Sequence, residues 1–98
     1  MGTKLLDLLN YSLELCDGIS KSIINENIEM ISVLNLIDIL AQITNEVNKR
    51  NIEHYNIDEL NEKLSFLLNA LEDSDMELFS DNLSYELRPL LEYWKEGI

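Results

Sequence analysis

Polar residues recur at steps of three and four along nearly the whole chain, with apolar residues filling the positions between. In the first segment Asp7, Asn10, Glu14, Asp17 and Lys21 make one such row, and Leu5, Leu8, Leu9, Leu15, Cys16, Ile19 and Ile23 lie elsewhere around it. This is the period of an amphipathic helix, predicted over about 3–24. Gly18 falls inside it at a cost of about 1 kcal/mol relative to alanine, so it either admits a close neighbour or marks a break. The asparagines of "NENIE" suit the turn that follows.

A second helix is predicted over about 28–50. Asn35, Asp38, Gln42, Asn45 and Lys49 make a narrow polar row, and Ile31, Val33, Leu34, Leu36, Ile37, Ile39, Leu40, Ala41, Ile43 and Val47 occupy most of the remaining circumference. A helix apolar on most sides is covered on most sides. This one either sits centrally or supplies a subunit interface, with Val33 and Ile37 as candidate contacts. The stretch "NKRNIEHYN" breaks the period, with Lys49 and Arg50 placed where a helix C-terminus favours cations.

A third helix starts at "NIDELNEKL", where Asn56 caps and Glu59 stands three residues on. Leu60, Leu64, Leu67, Leu68 and Leu71 form its stripe. In "EDSDMEL" the pair Ser74 and Glu77 reads as a capping box for a fourth helix. That helix carries Met76, Phe79, Leu83, Leu87, Leu90 and Trp94 as an inward seam.

The seam runs through a proline. Within a straight helix Pro89 would leave the Tyr85 carbonyl without its donor and cost ~3 kcal/mol, so a kink is expected there. A new helix beginning at Pro89 would need Arg88 as its cap, a poor choice, and the unbroken seam favours one bent helix. Tyr85, Pro89 and Tyr93 stack at i, i+4 and i+8 on the other side from the seam. Two tyrosines flanking a proline make a candidate contact face, since tyrosine is enriched at interfaces. The fold expected is all-α, a single domain over 1–98 forming a four-helix up-down-up-down bundle kinked at Pro89.

Charge and composition narrow the function. With 7 Lys and Arg against 19 Asp and Glu, the formal charge is −12, a surface that repels nucleic acid and anionic lipid. A membrane span is not expected, because no uninterrupted apolar run approaches ~20 residues. The opening "MGTKLLDLLN" lacks signal-peptide features, and Leu6 stands where a myristoylation motif wants Ser or Thr. Cys16 is the one cysteine and suits a reducing, cytoplasmic setting.

Candidate chemistry is sparse. His54 is the one histidine and lies in a polar connection, so histidine-based metal or catalytic centres are not expected. Cys16 reads as a buried thiol among Leu13, Leu15 and Ile19. The acidic run Asp73, Asp75, Glu77 and Asp81 fails as a calcium loop, because Leu78 takes the glycine position and Ser84 the bidentate glutamate position. There is no glycine-rich phosphate loop. No metal, cofactor or enzymatic activity is expected.

The tail "ALEDSDMELFSDNLSYELRPLLEYWKEGI" resembles the C-terminus of a family of small all-helical proteins of low-GC Gram-positive bacteria. The resemblance rests on the pattern Y-E-L-x-P-L-L-E-x-W, here Tyr85, Glu86, Leu87, Pro89, Leu90, Leu91, Glu92 and Trp94 with Arg88 and Tyr93 at the variable places. It implies an all-helical fold and brings no established activity. The function expected is a non-enzymatic helical interaction module, partnered by itself as a homodimer or by another protein. The alternative is a cytoplasmic chaperone or adaptor for a secreted or flagellar helical client; a carboxylate-based enzyme is the remote third.

Overall fold

In a computed structural model, residues 3–24, 30–49 and 55–97 are described, and they are helical almost throughout, with no strand among them. The elements are α1 (Thr3–Ile24), α2 (Met30–Asn48), α3 (Ile57–Glu72), α4 (Met76–Asn82), a π-helical turn (Leu83–Leu87) and α5 (Arg88–Glu96). The fold is all-α, as the periodicity predicts. Ile28, Arg50 and His54 lie outside the described residues.

The apolar stripes meet in one core. Leu5, Leu9, Cys16 and Ile19 come from α1, Leu36, Leu40 and Ile43 from α2, Leu60 and Leu67 from α3. Phe79, Leu83, Leu87, Leu91 and Trp94 come from the last three elements. Tyr55, in the connection before α3, is buried and meets Trp94 edge-on, ring centroids 5.6 Å apart at 77°. This is a favoured T-shaped geometry and seats the Tyr55 ring in the core.

α1 has the most neighbours. It packs along α2 on one side and along α5 and the π turn on the other, while α3 packs along α4 and the π turn. α2 touches α3 only lightly. So α2 is not central; it leans on α1 and leaves a seam towards α3. Gly18 does not break α1, and a Cβ built there would meet nothing within 4 Å. It admits no close neighbour either.

The α3 start is as the sequence predicts, with the Glu59 N–H donating to Asn56 Oδ1 at 3.2 Å. The α4 start is not. Asp75, rather than Ser74, caps α4, its Oδ1 accepting from the Leu78 N–H at 3.0 Å. Ser74 is instead the reversal residue that ends α3, at φ 56°. Its N–H donates to the Leu71 carbonyl at 3.1 Å, and the Asp75 N–H reaches the Ala70 carbonyl at 2.9 Å. Those two bonds are the Schellman closure, which needs one left-handed residue and so takes Ser74 away from capping.

Residues 76–96 form one continuous helical rod. Leu87 and Arg88 keep right-handed helical dihedrals, and no side chain caps α5. The Arg88 N–H donates to the Leu83 carbonyl, five residues back. Pro89 thus falls in the first turn of α5, just past the widened turn, where a missing N–H costs little. The π turn takes up the strain that the proline would impose on an unbroken α register.

Candidate functional site

Two surface features stand out from the packed core. The first is the seam between α2 and α3. The buried face of α2 steps through Val33, Leu36, Leu40, Ile43 and Val47, and its wet row holds Asn35, Asp38, Gln42 and Asn45. Between these faces runs a third row that no element covers among the described residues. Met30 is 49% exposed and Leu34 58%, and Ala41 is exposed too, while Ile31, 66% exposed, lies a quarter turn away in line with Asn35 and Asp38. Ile37 is half-buried in the row of Met30 and Leu34.

This row borders a narrow apolar slot walled by Val33, Ile37 and Leu40 of α2 and by Leu64, Leu68 and Leu71 of α3, with Phe79 below. No polar surface lines it. Of the two helix-2 candidates, Ile37 stands at the rim and Val33, 1% exposed, lies beneath it. Met30, Ile31 and Leu34 are the more accessible positions. Sequence periodicity alone does not single them out, because it shows only that α2 has more apolar surface than one neighbour covers.

α2 is also, by length and composition, long and apolar enough to cross a membrane, with a mean hydropathy of 1.2. Only a third of that window is buried. Its polar row includes Asp38, an expensive group at the centre of a bilayer.

The second feature is a concavity of about 300 Å³ between the start of α3 and the π turn with α5. Tyr85, Pro89 and Tyr93 form one wall, so the structure brings all three predicted contact residues to one place. Glu59 and Lys63 face them from α3, with Glu86 and Leu90 at the base. Tyr85 is 76% exposed and Tyr93 52%. Lys63 Nζ bonds Glu86 Oε2 at 2.7 Å, and with Glu62 and Glu59 also nearby its amine is held protonated above the usual lysine range. The α3 side of this concavity has no sequence signal, because it depends on how α3 and α5 dock.

Behind this wall, Arg88 turns to α1. Its Nε and Nη2 donate to the two oxygens of Asp17 at 2.9 and 3.2 Å, and Nη1 donates to Glu92. The guanidinium holds the Asp17 carboxyl below its ordinary range. Cys16, next to Asp17, is buried, and burial pushes its thiol up to about 12, with the Asp17 charge adding to the rise. A neutral buried thiol is a poor nucleophile. Among the described residues no cluster of His, Cys, Asp and Glu could hold a metal ion.

These features define a small all-helical bundle with two non-polar or aromatic surfaces. The chain belongs to a family described as a domain of unknown function (DUF8042), whose model matches residues 3–97. Neither a search of curated proteins nor one of solved structures found a match.

Proposed function

We propose that the chain is a non-enzymatic interaction module that dimerises through the face that α2 leaves open beside α3. The observation that carries this reading is the uncovered row Met30, Leu34, Ile37 and Ala41. Its steps of four, three and four are those of a coiled-coil seam, the spacing by which one helix packs along another. A two-fold axis would lay this row against its own copy and exclude water from the slot at the same time. Self-association is favoured here because the row is uncharged in a chain of net charge −12, so two copies meet where repulsion is least. Leu34→Glu puts two buried carboxylates into such a contact, and it should yield a folded monomer by light scattering.

The all-apolar slot also supports a second reading, in which an amphipathic helix of a client protein lies between α2 and α3. One exported client recovered in stoichiometric amount from the native host, with the chain monomeric when purified alone, favours that reading over the dimer. The cytoplasm suits both, given a lone thiol that has no internal disulfide partner.

A further inference from the structure

We propose that the concavity walled by Tyr85, Pro89 and Tyr93 receives an arginine side chain from a partner protein other than this chain. This surface is separate from the α2 face, and the inference stands independently of the dimer. Three observations meet there. The Tyr85 ring, one turn before Pro89, is 76% exposed, and a planar guanidinium stacks on such a face. Glu59 is exposed at the opposite edge and makes no side-chain hydrogen bond or ion pair among the described residues. It offers the two oxygens that a guanidinium bonds in pairwise fashion.

The local charge is also uncompensated. Among the described residues the charged lining of the site is Glu59, Lys63 and Glu86, and the Lys63–Glu86 pair leaves Glu59 as a negative surplus. The net charge of −12 adds a long-range attraction for cations. The pocket of about 300 Å³ is large enough for a guanidinium with its stem. Of the arginines of a second copy, the one among the described residues is not available. The chain has two arginines, Arg50 and Arg88, and Arg88 is already committed to Asp17 and Glu92.

The test uses the full chain, labelled uniformly with ¹⁵N and titrated with N-acetyl-arginine amide. The matching lysine and citrulline amides serve as comparisons, citrulline being the uncharged counterpart of arginine. The arginine compound should shift the amides of Glu59, Tyr85, Glu86 and Tyr93 along one saturating curve, and bind at least twofold more tightly than lysine. Citrulline should leave these amides in place. Tyr85→Ala keeps every charge and removes a mostly exposed ring, so it should fold and bind arginine about 2–5-fold more weakly. Glu59→Gln should also weaken binding, and Glu14→Gln, on the exposed side of α1, should not. Equal shifts with citrulline, lysine binding as tightly as arginine, or a Tyr85→Ala affinity equal to that of the parent would each overturn the assignment.

Discussion

Arg88 and Asp17, 71 positions apart in sequence, meet through two parallel hydrogen bonds of 2.9 and 3.2 Å. The pair joins α5 to α1 at the residue directly after the π turn, and Glu92 takes the third guanidinium donor. It therefore fixes where the irregular part of the last rod sits on the rest of the bundle.

The pair should show a coupling of about 0.5–1 kcal/mol in a double-mutant cycle of Asp17→Asn and Arg88→Gln, as both groups are partly exposed and screened. Its pH dependence follows from the depressed Asp17 carboxyl. A group whose folded pKa lies below its unfolded value stabilises above the unfolded value, here near the ordinary aspartate value of 3.8. That contribution is lost as pH falls through the lower folded value. Urea midpoints of parent and Asp17→Asn should differ at pH 7 and converge well below pH 3.8.

Ser74 and Asp75 should respond in opposite ways. Ser74→Gly relieves a left-handed residue of its Cβ and should raise stability by about 1 kcal/mol. Asp75→Ala removes the cap of α4 and should lower it by about 1 kcal/mol. Thermal melts of the two variants check this, and a loss on Ser74→Gly would restore Ser74 as the cap.

Pro89→Ala tests whether the π turn has absorbed the proline. Removing a proline from a strained helix interior would gain roughly 3 kcal/mol. At the start of α5 the proline costs little and stiffens the unfolded chain, so the substitution should lower stability by less than about 1 kcal/mol. Urea denaturation decides, and a gain of several kcal/mol would show strain still stored at Pro89.

Gly18→Ala should stabilise by about 1 kcal/mol, since α1 is continuous there and the added methyl meets open space. A calorimetric melting temperature below that of the parent would contradict the open surface at Gly18.

The helices and most of their inward faces were legible because burial imposes the 3.6-residue period on the sequence. Asn56 was legible as a cap because its bond is local. Ser74 misled for a physical reason. Both Ser74 and Asp75 are good caps, and what decides between them is that the chain must reverse after Glu72, which uses one residue at positive φ. The π turn did leave a trace. Phe79, Leu83, Leu87 and Leu91 step by four throughout and all are buried. Each such step over-rotates an α-helix by about 40°, so three would carry the row off the core unless a wider turn takes the excess back. Leu91 is the member that a seam of threes and fours passes over. The Arg88–Asp17 pair, the core tyrosine Tyr55 and the α3 side of the aromatic concavity were not legible, because each depends on which helices are neighbours. The same holds for the open row on α2. The sequence shows its apolar excess, and only the light contact with α3 shows which residues remain uncovered.

The central claim is that this uncovered row is a self-association surface. Sedimentation equilibrium of the purified chain over a wide concentration range, beside Leu34→Glu, tests it most directly. The account predicts twice the 11.4 kDa chain mass for the parent and a single chain mass for a still-helical Leu34→Glu. A parent that remains at one chain mass at the highest concentration, or a Leu34→Glu variant that stays dimeric, would contradict it.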